Sequence, residues 1–403
     1  MNGKTELLQC ERKVRRIISM RRTPKENINQ SFINLIRKAH GLIENSDIEK
    51  HRHSQDQMGA LFGNSREVAV TETTVGSMYA EWIRVDRPHS GKKIILYCHG
   101  GGYSTGSPLY ARTLTTKLAS QLSMDVFCFD YRLAPEHPYP AAVDDAQAAW
   151  DYLMLQGYGA KDIFVAGDSA GGNLALALGL RLKKQKRMLP AGFVLMSPWT
   201  DLTVSGKTHE TKADVDPVLN QNYLNEMIEN YVPQAKKVQM EAVKPLQEAG
   251  TLQEGNTIQA ASTLREANAL QEGNTIQAAD TLQERNTLQT ANTLQTAGTE
   301  KQKPGDKSAN KVFEEIFDTE YLRNPEISPL FGDFTGFPPT YIQVGDLEVL
   351  MSDSTMLQKK MSGNGVAVSL DTYKNMWHVF QMGPFKTAVE AIHKCGEFIY
   401  SVQ

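Results

Sequence analysis

The feature that most constrains the fold is a series of six short apolar runs, separated by helix-like segments. The runs cover residues 94–98, 126–129, 163–166, 193–196, 341–344 and 366–370. They are almost entirely apolar rather than alternating, as expected of parallel strands buried on both faces of a sheet. Strands that alternate with helices indicate a parallel sheet covered by helices on both faces. We therefore expect an α/β fold.

Two further strands precede this series. Residues 68–72 and 78–84 flank a turn at 75–77, and this spacing is typical of an antiparallel hairpin. The sequence thus predicts eight strands, the first two antiparallel and the other six parallel.

Composition excludes several classes of partner. The chain of 403 residues is 40% hydrophobic, which suffices for a sizeable core, and its net charge of −3 gives no reason to expect nucleic acid as a partner. We see no apolar leader in residues 1–9 and no window of 18 apolar residues, so we expect no stable membrane insertion. The four cysteines lack metal-binding spacing and fit free thiols in a reducing compartment, so we expect a cytoplasmic protein without a bound metal.

Nine tandem hexapeptides, residues 246–299, interrupt the α/β pattern. Each unit has one leucine or isoleucine at its start and no aromatic residue. A six-residue period fits neither the helical nor the strand period, and a β-solenoid would bury little beyond one ladder of side chains. We interpret residues 241–311 as a mobile repeat insertion without a catalytic role, with an ordered solenoid as the alternative.

Residues 167–171 read Gly-Asp-Ser-Ala-Gly and lie between an apolar run and a segment rich in helix formers. In a strand–turn–helix setting, G-x-S-x-G is the pattern of a nucleophile elbow, a strained turn that exposes a serine hydroxyl. Small residues around a serine also form ordinary strand-to-helix turns, so the motif gains weight only from its partners. We predict Ser169 as a nucleophile.

A serine nucleophile needs a base and donors for an oxyanion. Residues 99–103 read His-Gly-Gly-Gly-Tyr and follow a predicted strand, and consecutive glycines let backbone N–H groups approach a ligand closely. We expect the N–H groups of Gly101, Gly102 and Ala170 to form the oxyanion hole. His378 follows the last strand in an apolar setting and is the predicted base.

The acid that orients the base is expected in the loop after residues 341–344. Asp346 lies at the strand end, Glu348 two residues further on, and Asp353 is expected to begin the next helix. Either of the first two carboxylates can accept the imidazole N–H. The residues alone leave the choice between Asp346 and Glu348 open.

Four stretches together, residues 99–103, 130–142, 167–172 and 376–380, resemble the hormone-sensitive-lipase-like esterases (bacterial family IV, GDXG) of the α/β-hydrolase fold. The resemblance covers roughly residues 60–235 and 312–403. It implies an α/β-hydrolase fold, with an eight-stranded mostly parallel sheet, helices on both faces and a helical cap.

The resemblance also bears on the acid. The family places an aspartate about thirty residues before the histidine, and Glu348 occupies that position here. A glutamate is a departure from the family pattern. We therefore expect Glu348 rather than Asp346 to be the third catalytic residue.

The family pattern and the repeats together divide the chain into five segments. They are an N-terminal cap segment at 1–60, a first core part at 61–202, a second cap segment at 203–240, the repeat insertion at 241–311 and a second core part at 312–403.

The function implied is that of a serine carboxylesterase, which hydrolyses short-chain acyl esters through a triad and an acyl-enzyme without a cofactor. The expected partner is a small-molecule ester, and a homodimer is left open. The alternatives are a deacetylase of acetylated sugars or amides on the same triad, or a non-catalytic ligand-binding protein on this fold. Retention of both Ser169 and His378 argues against the binding protein, since such relatives lose the histidine.

Overall fold

The structure is a computed structural model that describes residues 33, 36–38, 47–63, 67–87, 92–237 and 313–402, with three of these, 58, 61 and 62, described by their backbone alone. The repeat insertion predicted at 241–311 and most of the first 46 residues lie outside the described residues. The interpretation of the insertion therefore stays a prediction.

Eight strands of the described chain form one sheet. They are β1 (Val68–Val75), β2 (Met78–Val85), β3 (Ile94–Cys98), β4 (Asp125–Phe129), β5 (Ile163–Asp168), β6 (Gly192–Met196), β7 (Thr340–Gly345) and β8 (Val368–Tyr373). Their order in the sheet is β1-β2-β4-β3-β5-β6-β7-β8. Strands β1 and β2 pair antiparallel, β2 also runs antiparallel to β4, and β3 to β8 run parallel. The predicted strand number and directions are confirmed, although β8 begins at Val368 rather than at residue 366.

The described helices connect these strands. They are α1 (Ile48–Phe62), α2 (Pro108–Leu122), α3 (Ala141–Leu155), α4 (Ala170–Lys184), α5 (Thr208–Thr211), α6 (Gln221–Tyr231), α7 (Thr319–Leu322), α8 (Met351–Gly363) and α9 (Lys386–Ser401). Short 3₁₀ turns lie at Ala160–Asp162, Pro233–Ala235, Pro329–Phe331 and Phe380–Met382. Within the described ranges, no helix combines the length and the apolar character that crossing a membrane requires.

Helices cover both faces of the sheet, and residues 163–166 of β5 show why such a strand is apolar on both sides. Ile163 and Val165 pack into one buried cluster together with Leu174 of α4. Phe164 and Ala166 point the other way, into the cluster that holds the apolar side of α2 and α9. Because successive side chains of a strand point to opposite faces, a strand with two covered faces is apolar at most positions.

Helix α2 has well-defined ends. The side chain of Ser107 caps its start by accepting a hydrogen bond from the N–H of Tyr110 at 3.1 Å, and Pro108 occupies the first turn. The helix ends at Ser123, whose φ of 51° is left-handed. These ends fix the register of α2 against the sheet.

The parallel strands bring distant parts of the chain to one edge. The carboxyl ends of β3, β5, β6, β7 and β8 lie side by side, because these strands are neighbours in the sheet. The loops that follow them carry residues 99–103, Ser169, Ser197, Glu348 and His378 in turn. Ligand sites of open α/β sheets form at this edge.

Candidate active site

Ser169 occupies a strained turn between β5 and α4. Its φ of 55° and ψ of −122° lie outside the regions that a residue with a side chain adopts readily. The turn is held because the N–H of Ser169 donates to the carbonyl of Met196 at 3.0 Å and its own carbonyl accepts from the N–H of Trp199 at 3.1 Å. A side chain at Gly171 would collide with the carbonyls that end β3, so close packing of this turn on the neighbouring strand requires a glycine there.

The glycine loop after β3 presents backbone donors. Gly101 and Gly102 have φ values of 119° and 62°, which favour glycine. The carbonyl of Gly101 accepts from the N–H groups of Ser104 and Thr105, at 3.1 and 2.9 Å. In the described part of the chain, the N–H groups of Gly101 and Gly102 donate no hydrogen bond. They are therefore available to a ligand, together with the N–H of Ala170 at the first position of α4.

Asp168, next to the serine, fixes this loop. Its Oδ1 accepts from the N–H of Gly100 at 3.0 Å and from the hydroxyl of Tyr97 at 2.6 Å. Burial raises the pKa of Asp168 to about 6, against the effect of the Tyr97 hydrogen bond and the nearby His378. Asp168 links the elbow to the glycine loop.

His99 holds the loop from its other side. Its Nδ1 donates to the carbonyl of Gly100 at 2.9 Å, and its ring stacks on Tyr131 with 4.0 Å between centroids. Tyr131 in turn donates its hydroxyl to the carbonyl of His99 at 2.9 Å. Burial lowers the pKa of His99 to about 4, so its ring is neutral near pH 7.

His378 and Glu348 form a buried pair. The Nδ1 of His378 lies 3.0 Å from Oε2 of Glu348, and both side chains are almost completely buried. The other oxygen of Glu348, Oε1, accepts from the hydroxyl of Ser197 at 2.7 Å and from the N–H of Gly345 at 2.5 Å. Three hydrogen bonds therefore fix the carboxylate and leave Nε2 of His378 as the free ring nitrogen.

The charges around His378 favour its protonated form. Burial acts to lower its pKa, but the hydrogen bond to Glu348 and the negative charges of Glu348, Asp216 and Asp168 outweigh burial, so that the pKa is raised above the ordinary value of 6.5. A base with a raised pKa has a stronger affinity for the proton that it must remove.

The other two carboxylates of this loop have different partners. Oδ1 of Asp346 accepts from the N–H of Asn375 at 2.6 Å and so ties the loop to the turn before His378. Asp353 lies in the first turn of α8, where its Oδ2 accepts from the N–H groups of Thr200 and Asp201, at 2.8 and 2.9 Å. The structure thus places Glu348, and not Asp346, against the histidine.

Two supporting residues escape sequence reasoning. Ser197 bonds both to Glu348 and, as acceptor, to the N–H of Val379 at 3.2 Å, the residue after His378. Asp216 lies in the predicted second cap segment, and its Oδ2 accepts from the N–H of Val349 at 2.8 Å. The position of Ser197 directly after a buried parallel strand was an available signal. Asp216 gave no comparable signal.

The helices in the two predicted cap segments contact the glycine loop. Arg52 of α1 donates from Nε to the carbonyl of Ser104 and from Nη2 to that of Ala134, both at 2.9 Å, and it also pairs with Glu136 at 2.8 Å. From α6, the side chain of Met227 lies against Gly102, because a Cβ at that glycine would stand only 2.7 Å from its sulfur. Both helices thus restrain the loop that presents the donors.

The arrangement has the parts needed for acyl transfer. A serine on a strained turn, a histidine oriented by a carboxylate and a loop with unused N–H groups lie at one edge of the sheet. Within the described ranges, no three His, Cys, Asp or Glu side chains are grouped so as to hold a metal ion.

Known proteins share this architecture. A family profile described as alpha/beta hydrolase fold matches residues 95–267 and 257–382. An esterase of Acinetobacter venetianus is 30% identical over 86% of this chain and 87% of its own length. An acetyl-hydrolase of Streptomyces hygroscopicus is 30% identical over 83% of each chain.

Solved structures of esterases and lipases are similar to this chain in both sequence and fold. A crystal structure of a hormone-sensitive lipase from a metagenome library is 30% identical, with a TM-score of 0.67, and the match covers 94% of this chain and 99% of that one. A crystal structure of EstE5 soaked with p-nitrophenyl butyrate is 26% identical, with a TM-score of 0.64, and the match covers 91% and 97%. The chain therefore belongs to the hormone-sensitive-lipase-like carboxylic ester hydrolases of the α/β-hydrolase fold.

Proposed function

We propose that the chain is a serine carboxylesterase that hydrolyses short-chain acyl esters through a triad of Ser169, His378 and Glu348. The observation that carries the proposal is the buried pair of His378 and Glu348, 3.0 Å apart, at the sheet edge that also bears the strained Ser169 turn. A histidine paired with a carboxylate beside a serine elbow is the arrangement that activates a serine hydroxyl.

In the first half-reaction, Oγ of Ser169 attacks the ester carbonyl while Nε2 of His378 takes its proton. The N–H groups of Gly101, Gly102 and Ala170 stabilise the oxyanion of the tetrahedral intermediate. The intermediate collapses to an acyl-enzyme as His378 donates the proton to the departing alcohol. In the second half-reaction, His378 activates a water molecule that releases the acid.

Glu348 keeps the imidazole in the reactive tautomer. Its Oε2 accepts the Nδ1–H, so that Nε2 is free to accept the serine proton, and its charge stabilises the imidazolium that forms. The glutamate chain is one methylene longer than the aspartate of the family. Ser197 and Gly345 bond to Oε1 and thereby fix the position of the longer side chain.

The preference for short acyl groups and the location rest on separate observations. The acetyl-hydrolase relative and the EstE5 crystals soaked with a butyrate ester support a small acyl group. The described cysteines, Cys98, Cys128 and Cys395, are free and buried, which supports the cytoplasm as the compartment. The division into core parts and cap segments at the predicted boundaries belongs to the same proposal.

A deacetylase is the second candidate, because a relative is an acetyl-hydrolase and the triad would be the same. The two candidates differ in substrate rather than in catalytic residues. Activity on acetylated sugars or amides that exceeds activity on simple esters would favour the deacetylase.

The test is hydrolysis of p-nitrophenyl esters from acetate to dodecanoate by the wild type, by Ser169→Ala and by Ser401→Ala as a serine control at the end of α9. We expect a maximum among the shortest esters that is lost in Ser169→Ala and kept in Ser401→Ala. Equal activity of Ser169→Ala and wild type would rule out the proposed nucleophile.

A further inference from the structure

Lys117 of α2 reaches the segment that follows His378. Its Nζ donates to the carbonyls of Gln381, Met382 and Gly383, at 3.0, 2.6 and 2.9 Å. An ammonium has three N–H groups, so these three carbonyls use all of its donors. The side chain is half-buried, and its contacts join residues more than 260 positions apart in the chain.

The segment that Lys117 holds begins at the proposed catalytic base. The N–H of Phe380 donates to the carbonyl of Trp377, and that of Met382 donates to Val379, so residues 377–383 form one continuous turn around His378. Val379 has a φ of 51° and a ψ of 43°, which is left-handed. A β-branched residue is strained there, and such strain persists only where the surroundings hold it.

Hydrogen bonds hold this strained turn at both ends. Ser197 accepts from the N–H of Val379, directly after His378. Lys117 binds the last carbonyls of the turn, which have no partner further along a helix because the 3₁₀ turn ends at Met382. Charged donors make the stronger hydrogen bonds, so Lys117 supplies the stronger bonds at that end, where the side chain of Gln381 also donates to Gln343 at 2.9 Å.

We propose that Lys117 is a positioning residue for catalysis, whose ammonium holds the turn 377–383 and thereby keeps the imidazole of His378 in place. The inference rests on the proposed role of His378 as the base. It concerns the geometry of the base and not the identity of the nucleophile.

Burial lowers the pKa of Lys117 to about 8. Ionisable side chains that bond to α2 or share its buried cluster include Asp56 of α1, Glu81 of β2 with its partner Arg112, Tyr97 of β3, Cys128 of β4, Tyr341 of β7, and Cys395 and Tyr400 of α9. Tyr110 of α2 itself donates its hydroxyl to the sulfur of Met382. Arg87 binds the last turn of α2. In the described part of the chain, none of these side chains bonds to Nζ of Lys117.

Because of this lowered pKa, the contact between Lys117 and the turn 377–383 depends on pH. Above pH 8, Lys117 is deprotonated and therefore loses one N–H donor and its charge. Its hydrogen bonds to the three carbonyls then weaken. The native state then binds fewer protons than the unfolded chain between pH 8 and the ordinary lysine pKa of 10.5, so the free energy of unfolding contributed by this group rises with pH in that range. Loss of activity there, without loss of fold, is the signature of a positioning role.

The experiment measures kcat and KM for p-nitrophenyl butyrate from pH 6 to 10 in the wild type, in Lys117→Met and in Lys117→Arg. Lys93→Met is the matched control, because Nζ of Lys93 also binds backbone carbonyls, those of Ile399 and Val402, at the end of α9. Circular dichroism at each pH checks the fold.

We expect Lys117→Met to lower kcat about tenfold at pH 7 while KM changes less than about twofold, because a displaced base slows chemistry more than binding. The wild type should lose activity above pH 8, and Lys117→Met should lack that loss. Lys117→Arg, which stays charged, should keep activity at pH 9. Lys93→Met should match the wild type.

The inference fails if Lys117→Met keeps both the wild-type kcat and the wild-type alkaline decline. Should that variant not fold, the wild type and Lys117→Arg decide the question, since an identical alkaline decline in both would contradict the role of Lys117. The proposed function is tested separately by His378→Asn: activity in that variant would overturn the triad, whereas an inactive His378→Asn beside an unaffected Lys117→Met would overturn this inference alone.

Discussion

Oε1 of Glu348 accepts the hydroxyl of Ser197 at 2.7 Å, while Oε2 of the same carboxylate meets Nδ1 of His378 at 3.0 Å. One oxygen of this buried carboxylate thus bonds to Ser197, which anchors the side chain, and the other bonds to the proposed base. Because the anchor fixes the reach of the side chain, the length of Glu348 matters as well as its charge.

Replacing Glu348 should therefore impair catalysis in two distinguishable ways. Glu348→Gln offers an amide in place of the charge, and we expect kcat/KM to fall on the order of 10³-fold or more, as for other triads that lose their acid. Glu348→Asp restores the family residue but shortens the reach, and we expect a loss of about 10–100-fold. Steady-state kinetics with a short p-nitrophenyl ester provide the measurement.

The matched control is Asp346→Asn, which alters a carboxylate in the same loop that bonds to Asn375 instead of the histidine. Its kcat should stay within about twofold of the wild type, because no reacting group loses a partner. An inactive Asp346→Asn beside an active Glu348→Gln would show that the acid is assigned to the wrong residue.

The raised pKa of His378 sets the acid side of the pH profile. A base must be neutral to accept a proton, so kcat/KM should decrease as the pH drops below the pKa of His378. This pKa lies above 6.5. The stability contributed by this histidine has the opposite dependence: it is fully present below pH 6.5 and is lost as pH rises through the raised pKa.

Asp216 supplies part of this shift, because its charge is among those that raise the pKa of His378. Asp216→Asn should move the acid limb of kcat/KM to lower pH, by a few tenths of a unit or more. A pH profile from 5 to 8 checks the direction, and an acid limb that stays in place would show that Asp216 acts on the fold alone.

Arg52 connects α1 to the glycine loop, and its loss should be felt at the proposed oxyanion hole. Arg52→Ala leaves the carbonyls of Ser104 and Ala134 without their donor, so we expect unfolding free energy to fall by about 1–3 kcal/mol. We also expect kcat/KM to fall about fivefold, since a more mobile loop positions its N–H donors less precisely. Urea unfolding and kinetics measure the two effects.

Arg187→Ala is the control for Arg52, because Arg187 pairs with Asp151 at the far end of α3 and α4. A partly exposed ion pair contributes about 0–1 kcal/mol, and kcat should not change. If both variants lowered kcat equally, the loss in Arg52→Ala would have to be a general effect of arginine removal.

Excision of the repeats should leave catalysis intact. The structure describes the chain up to Lys237 and again from residue 313, and the residues near these two points are paired. Lys236 bridges Phe317, and the N–H of Lys237 donates to the carbonyl of Ile316 at 2.8 Å. A short Gly-Ser linker in place of residues 241–311 can therefore close the gap. We expect kcat/KM within about twofold of the wild type.

A variant with the order of residues 246–299 scrambled at constant composition separates length from sequence. Low yield of both variants would indicate that the repeats pack on the rest of the protein. Low yield of the linker variant alone would indicate that only the length of the connection matters.

The features that could be predicted from the sequence are those that a local residue pattern determines. The apolar runs locate β3 to β7 to within about two residues, because a strand covered on both faces carries mainly apolar side chains. The elbow at Ser169 and the glycine loop are predictable because their backbone geometry demands glycines at fixed spacing. Family spacing selects Glu348, and the structure places that side chain against His378.

Contacts between distant segments could not be predicted in this way. Lys117 reads in the sequence as one more lysine of an amphipathic helix, and only the packing of α2 brings it to the carbonyls of residues 381–383. The contacts of the Ser197 hydroxyl could not be predicted either, because its partners lie 151 and 182 positions away in the chain. Single-residue roles of this kind depend on tertiary structure rather than on periodicity or spacing.

The bridge between Lys236 and Phe317 also bears on how the repeats can evolve. Because the residues on either side of the repeats are paired, we expect the gain or loss of a six-residue unit to alter only the length of the connection between them. Doubling such a length costs about 0.6 kcal/mol in closure entropy, which a core of this size can absorb. We therefore expect chains with one repeat unit more or fewer to keep the fold of the ester-hydrolysing core.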